Sequence, residues 1–185
     1  MTQLEIMGAN AKNASVFLRT AGSKKDDALL AIAKALREHS DEIIKANEID
    51  IENGKNAGLT ESLLDRLRLT PERINGMAEG VEQVAALADP IGNVLEGRTL
   101  KNGLNIEKVR VPMGVIGIIF EARPNVTSDA AALCLKAGSA VILRGGKEAI
   151  NSNLAVSEIM RNAVESVGFP KDCIALVKDT SRQSA

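Results

Sequence analysis

Two short segments carry residue types suited to chemistry, and each follows a run of apolar residues. One is Arg144-Gly145-Gly146-Lys147-Glu148. Adjacent glycines let a ligand approach the backbone closely, Arg144 offers a planar fork that matches phosphate, and Lys147 adds a point charge. An adenosine 2′-phosphate is a natural target, and a solvated turn with two surface charges is the competing reading. The other segment is Glu121-Ala122-Arg123-Pro124-Asn125, where a guanidinium and an amide flank a rigid proline. Such donors can stabilise a developing oxyanion. They serve equally well as a capped turn leading into a helix at Thr127.

The remaining candidates are weaker. A nucleophilic thiol needs an activating base or cation, and neither Cys134, inside an apolar helical stretch, nor Cys173, opening an apolar strand, has one fixed in sequence. Both are read as core. His39 is the only histidine and reads as a solvated helix residue, so no metal site is expected. Neither phosphate-loop signature, G-x-x-x-x-G-K-[ST] or G-x-G-x-x-G, occurs, and Gly114 and Gly117 belong to a strand.

The elements that must position these segments fall into two regimes that meet near residue 90. Up to there the pattern is helical. Ser23 and Asp26 predict a capped start for a helix carrying Leu29, Ile32, Ala33 and Leu36. Ser40 is expected to cap a second helix, ended by Asn53-Gly54 and Gly58. A short helix after Thr60 holds Leu63, Leu64 and Leu67. Thr70-Pro71-Glu72 starts another, with Ile74, Met77, Val81, Val84 and Leu87 on one side and a stop before Pro90.

Beyond residue 90 the pattern is that of strands and crossovers. Residues 98–100 and 104–111 with the turn Lys101-Asn102-Gly103 predict a hairpin, its second strand alternating like a half-exposed one. Residues 115–120 form a continuous apolar run, as in a strand buried on both faces. A helix over 127–136, a strand over 140–143, a helix over 151–167 and a strand over 173–177 follow. Strand, helix, strand, helix, strand predicts right-handed crossovers on a parallel sheet, and ligands bind at the carboxyl edge of such sheets. Both candidate segments fall on that edge. Residues 179–185 read as the start of a further crossover helix, so the chain reads as interrupted there.

Bulk properties narrow the function. Of 185 residues 45% are apolar and 25% charged, with no Trp or Tyr and three Phe, so the core is aliphatic. Basic and acidic residues balance at 23 against 24. Without a basic excess or an aromatic platform, nucleic acid is not expected as a partner. The longest apolar run is about half of what a membrane helix needs, and no secretion signal opens the chain. A cytoplasmic protein without a membrane partner is expected.

Three stretches go further: residues 111–127, which contain Phe120-Glu121-Ala122-Arg123-Pro124-Asn125-Val126-Thr127, residues 133–138, and residues 140–148. Together they closely resemble the glutamate 5-phosphate (γ-glutamyl phosphate) reductase family of the aldehyde dehydrogenase superfamily. General aldehyde dehydrogenases have a Trp-Asn-Phe-Pro type of segment where residues 120–127 stand. Residues 60–73 and 88–90 are also similar to that family, so the resemblance spans nearly the whole chain.

The resemblance implies an α/β fold: a helical region over 1–90, a hairpin arm for oligomerisation over 91–112, and an incomplete NADP-binding parallel-sheet domain over 113–185. It implies NADP(H) as cofactor, with its adenosine end near Arg144, Gly145, Gly146 and Lys147. The implied reaction is NADPH-dependent reduction of L-glutamyl 5-phosphate to L-glutamate 5-semialdehyde in proline biosynthesis, through a cysteine thioester. Either Asn125 or Arg123 would serve the oxyanion and substrate. Further implications are a homo-oligomer at full length and a glutamate 5-kinase as partner. The family's nucleophilic cysteine belongs to a following domain and matches neither Cys134 nor Cys173, so the isolated chain is expected to be inactive. The alternative is a non-catalytic nucleotide- or partner-binding module built on the same fold.

Overall fold

The computed structural model describes residues 2–181. Its first element is α1 (Gln3–Arg19), which sequence patterning did not single out. Thr2 and Glu5 cap it reciprocally: Glu5 N–H donates to Thr2 Oγ1 at 3.3 Å and Thr2 N–H to Glu5 Oε2 at 2.7 Å. Ala11, Ala14 and Leu18 form its buried stripe, laid against the strands of the main sheet.

Helices α2 (Lys24–Glu38) and α3 (Ser40–Asn56) follow, separated by His39 alone. His39 therefore sits between helices rather than within one. It is exposed, with Nδ1 3.3 Å from Glu42. Three local expectations need correction. Ser23 makes no side-chain cap, because its own backbone is already helical and the Asp26 N–H donates to its carbonyl at 2.9 Å, and the Asp26 carboxylate goes instead to the buried ammonium of Lys136 at 2.6 Å. Ser40 is the first residue of α3 and makes no cap either. Helix α3 also runs through Gly54, which is buried against Leu59 and Leu64. The expected α4 (Glu61–Leu67) and α5 (Pro71–Ala86) are present, and Thr70 accepts from Arg73 N–H at 3.2 Å. Leu87 lies just past the end of α5 and is exposed.

The hairpin consists of β1 (Val94–Thr99) and β2 (Asn105–Val109), antiparallel, with Thr99 opposite Asn105. Gly103 in its turn adopts φ +86°, a conformation that favours glycine. Both strands are exposed along their whole length rather than on one face.

The main sheet is parallel with order β3-β4-β5, made of β3 (Val115–Ile119), β4 (Ala140–Arg144) and β5 (Ile174–Leu176). The crossovers are α6 (Asn125–Lys136) and α7 (Ile150–Ser166). Central β4 is the most covered long strand. The apolar run of β3 does not mean burial on both faces: among the described residues β3 pairs with β4 only, and Ile119 is 67% exposed. Helices α2, α3 and α5 pack outside α6 and α7, and the buried apolar residues of α1, α2, α5, α6, α7 and the sheet form one core. Aliphatic side chains dominate it, with Phe17 and Phe169 meeting edge to face at 5.2 Å near its margin. Residues 179–181 are not helical, and residues 182–185 of the expected further helix lie outside the described residues.

Two buried lysines join the helical region to the sheet domain. Lys136 Nζ donates to Asp26 Oδ1 at 2.6 Å and to the Ala85 carbonyl at 2.8 Å. Lys25 Nζ donates to Asp89 Oδ1 at 2.9 Å and to the Lys136 carbonyl at 3.1 Å. Each charge is thus paired and hydrogen-bonded, the condition under which buried cations are tolerated.

Candidate functional site

Parallel strands deliver their following segments to one edge, and all three do so here. Residues 121–125 leave β3, residues 145–149 leave β4, and residues 177–181 leave β5. Between the first two lies a cleft of about 480 Å³ lined by Ile119, Phe120, Glu121, Arg144, Gly146 and Glu148, among others. Leu59 and Leu63, from the α3–α4 connection and α4, complete its apolar wall. The helical region therefore contributes directly to the opening.

The four residues expected at a phosphate have different surroundings. Arg144 ends β4 and turns towards the segment after β5, donating from Nη2 to the carbonyls of Ser181 at 2.9 Å and Thr180 at 3.4 Å. Its Nε is buried with no hydrogen-bond partner among the described residues. Nearby, Asp179 lies below the usual carboxylate range, chiefly because Ser181 N–H donates to it at 2.8 Å, with Arg144 adding a smaller attraction. Gly145 is buried: a side chain there would meet Asn153 Nδ2 at 2.2 Å and the Phe120 ring at 3.1 Å. Its bareness serves internal packing. Gly146 lines the cleft, with the Glu148 carboxylate folded over it, and Lys147 is exposed on a short 3-10 turn.

What holds this turn in place was not legible as a motif. Helix α7 has no local cap. Instead Asp50 of α3, 1% exposed, accepts from Ser152 N–H at 2.7 Å, Ser152 Oγ at 2.6 Å, Asn151 N–H at 3.2 Å and Asn151 Nδ2 at 2.8 Å. A carboxylate at the positive end of a helix is doubly suited, by hydrogen bonding and by the dipole. Asn47, one turn earlier, donates to the Leu67 carbonyl at 2.8 Å and to Ser152 Oγ at 3.0 Å. A polar pair spaced i, i+3 on an otherwise apolar helix face was the available signal.

Arg123 and Asn125 do not share the cleft with Arg144. They line a second opening, on the other side of the β3–α6 turn, together with arginines from the α4–α5 region. Asn125 Nδ2 donates to Asp129 Oδ2 at 3.0 Å. Thr127, buried in the first turn of α6, donates to Asn153 Oδ1 at 3.0 Å and so ties the two crossover helices together beneath Gly145.

Neither cysteine is poised for chemistry. Cys134 is 5% and Cys173 0% exposed, both are free, and burial pushes their thiols up to about 11 and about 12. Such thiols stay protonated near neutrality. Among the described residues no three His, Cys, Asp or Glu residues gather as a metal site, and no helix is long and apolar enough to cross a membrane.

Comparison with known proteins adds a lineage. The chain matches the aldehyde dehydrogenase family over residues 2–185. It is 53% identical over 186 aligned residues to the gamma-glutamyl phosphate reductase of Clostridium beijerinckii, covering 100% of this chain and 45% of that protein. The solved gamma-glutamyl phosphate reductase of Thermotoga maritima superposes with a TM-score of 0.96 at 39% identity, over 98% of this chain and 44% of that one. PnpE in complex with nicotinamide adenine dinucleotide is similar in fold, with a TM-score of 0.70 at 21% identity, over 94% of this chain and 33% of that one. The chain thus spans less than half the length of these relatives.

Proposed function

The chain belongs to the aldehyde dehydrogenase family, and from that premise we propose that it forms the nucleotide-binding part of a reductase converting L-glutamyl 5-phosphate to L-glutamate 5-semialdehyde and phosphate in proline biosynthesis. The observation that carries this reading is the cleft at the carboxyl edge of the parallel sheet, where the Arg144 guanidinium meets an apolar wall. Its donor set suits a nicotinamide nucleotide. Leu59, Leu63 and Phe120 offer a flat heterocycle apolar contact, and Arg144, with an unpaired Nε, stands at the rim.

NADP(H) is the proposed cofactor, and when bound it supplies the hydride. Arg144 and Lys147 attract the 2′-phosphate, Gly146 lets the Glu148 carboxylate and the backbone of residues 121–122 pack closely against it, and Gly145 keeps the turn packed on Phe120. Asp50 already occupies the N-terminus of α7, so a phosphate here depends on side-chain cations rather than on the helix dipole. Arg123 and Asn125 face the substrate from the opposite side of the turn. The nucleophilic thiol is assigned outside residues 1–185, because Cys134 and Cys173 are buried and protonated. The exposed hairpin supports a homo-oligomeric assembly, a glutamate 5-kinase would supply the unstable acyl phosphate, and a cytoplasmic setting fits both.

The test is a chimera in which this chain replaces the matching part of the Clostridium beijerinckii relative. We expect NADP⁺ reduction that requires both L-glutamate 5-semialdehyde and phosphate, and no turnover by the chain alone. A folded chimera that is silent with this pair sinks the reading. The protonated state of both thiols also favours a second reading, a non-catalytic nucleotide-binding module. NADPH bound by the chain alone, with a silent chimera, would select it.

A further inference from the structure

The second opening, about 460 Å³ in volume, lies between the β3–α6 turn and the α4–α5 region. Four guanidinium groups line it, and they are not equivalent. Arg73 is a fixture: it donates to the Asp65 carbonyl, to Asp65 Oδ1 at 2.9 Å and to the Arg68 carbonyl at 2.8 Å. Arg68 has Glu61 at 3.9 Å, a loose contact. Arg66 and Arg123 are exposed, and the side chain of neither meets an acceptor among the described residues. Free guanidinium groups facing one groove suit a carboxylate or a phosphoryl group.

The opposite charge on that groove decides between those two. Asp129, in α6, holds Asn125 but meets no cation among the described residues. Crowding by surrounding atoms raises its carboxyl above the usual range although the residue still reaches the surface. A phosphoryl dianion would be repelled by this carboxylate. An amino-acid head group would not, since its ammonium supplies the missing cation while its carboxylate reaches the arginines.

We propose that this groove binds the α-amino-carboxylate head of the substrate, the carboxylate between Arg66 and Arg123 and the ammonium at Asp129. The proposal rests on the reductase reading for the identity of the substrate, and it makes Arg66, Arg123 and Asp129 specificity-determining residues. Head group and nucleotide then approach residues 121–125 from two sides, with the turn between them.

Two measurements keep the proposals separable. In the first, the 185-residue chain is titrated with L-glutamate, glutarate or inorganic phosphate and followed by ¹H–¹⁵N spectra, including the arginine Nε–H signals. L-Glutamate should shift Arg66 and Arg123, and glutarate, lacking the ammonium, should bind at least fivefold more weakly. Arg66→Gln and Asp129→Asn should each weaken L-glutamate about tenfold while leaving the rest of the spectrum in place. Glutarate or phosphate binding as tightly as L-glutamate overturns the proposal. In the second, the same substitutions in the chimera should raise KM for L-glutamate 5-semialdehyde about tenfold and leave KM for NADP⁺ unchanged. An active chimera with unaltered KM removes the head-group site and leaves the reductase reading intact. A silent chimera beside ammonium-dependent glutamate binding by the chain does the reverse.

Discussion

Replacing Asp50 with Ala should cost the fold about 3 kcal/mol, and the origin of that cost can be followed atom by atom. Asp50 is 1% exposed and accepts four hydrogen bonds, two of them from backbone N–H groups that begin α7. Losing an N-cap acceptor costs about 0.5–2 kcal/mol. Each buried donor left unpaired adds about 1–3 kcal/mol, and here the Ser152 amide and hydroxyl have nowhere else to turn. The Asn151 side chain, half-buried, can rotate towards water, and removing a buried charge recovers some desolvation energy, which together hold the total near 3 kcal/mol.

For a chain of this size that loss corresponds to a fall in Tm of roughly 6–12 °C. The assay is urea unfolding followed by circular dichroism, because the chain has no Trp or Tyr to report by fluorescence. Ser152→Ala alone should cost about 1 kcal/mol, since Asn47 and Asp50 lose one shared partner. The double variant should then be less destabilised than the sum of the two, by more than about 0.5 kcal/mol. An Asp50→Ala variant within about 1 kcal/mol of the parent, or strict additivity in the cycle, would refute the account of α7 as a helix capped from another helix.

Three further outcomes are expected. In the chimera, Arg144→Ala combined with Lys147→Ala should raise KM for NADPH by roughly ten- to a hundredfold, from charge-assisted bonds of about 1.5–3 kcal/mol, and change KM for NADH far less. Equal losses would remove the 2′-phosphate assignment; Glu148→Gln, which takes a carboxylate off the same rim, should favour NADPH. Cys134 and Cys173 should resist a disulfide-exchange reagent at pH 8 and react together in urea, as thiols held at about 11 and about 12 are almost wholly protonated. Because folding raises these values, the stability they lend is complete below about pH 8.5 and is lost as pH rises towards 11–12; a urea midpoint that is flat from pH 8 to 10.5 would contradict this. Lys136→Met should cost about 2–3 kcal/mol, less than a fully buried pair, because the Asp26 side chain is 39% exposed and regains water. A thermal-melt shift below about 2 °C would contradict it.

How much of this was legible depended on whether the signal was local. Thr70-Pro71-Glu72 specifies its helix start with neighbours only, and the structure follows it. The parallel sheet and both crossovers could be read from apolar runs and their spacing. The Thr2 and Glu5 capping box was equally local and was passed over, because the helix behind it buries few large side chains. Burial of β3 was misread because an apolar run says nothing about which strands flank it. Asp26 has a local role available at Ser23, but Lys136, 110 residues away, takes it. Asp50 acts on a residue 101 positions away and Asn47 on one 20 positions away, so their i, i+3 spacing could mark them as a buried polar pair but not name their partners.

The same long-range contacts change how the cleft should be understood. In many nucleotide-binding folds a glycine-rich loop brings phosphate onto a bare helix N-terminus, where backbone donors and dipole do the binding. Here Asp50 of α3 fills that position at α7, and Gly145 is bare because Asn153 and Phe120 need the space. Leu59 and Leu63 at the cleft, and Arg66 and Arg68 at the groove, also come from the helical region. That region is therefore more than a cover for α6 and α7: it fills the N-terminus of α7 with Asp50 and lines both openings beside the β3–α6 turn. In the proposed reading, recognition of charge passes to individual side chains, Arg144 and Lys147 on one side of the β3–α6 turn and Arg66 and Arg123 on the other. Under this arrangement each charged group can be altered without disturbing the sheet, and a change at Asp50 is felt first in the turn carrying Lys147.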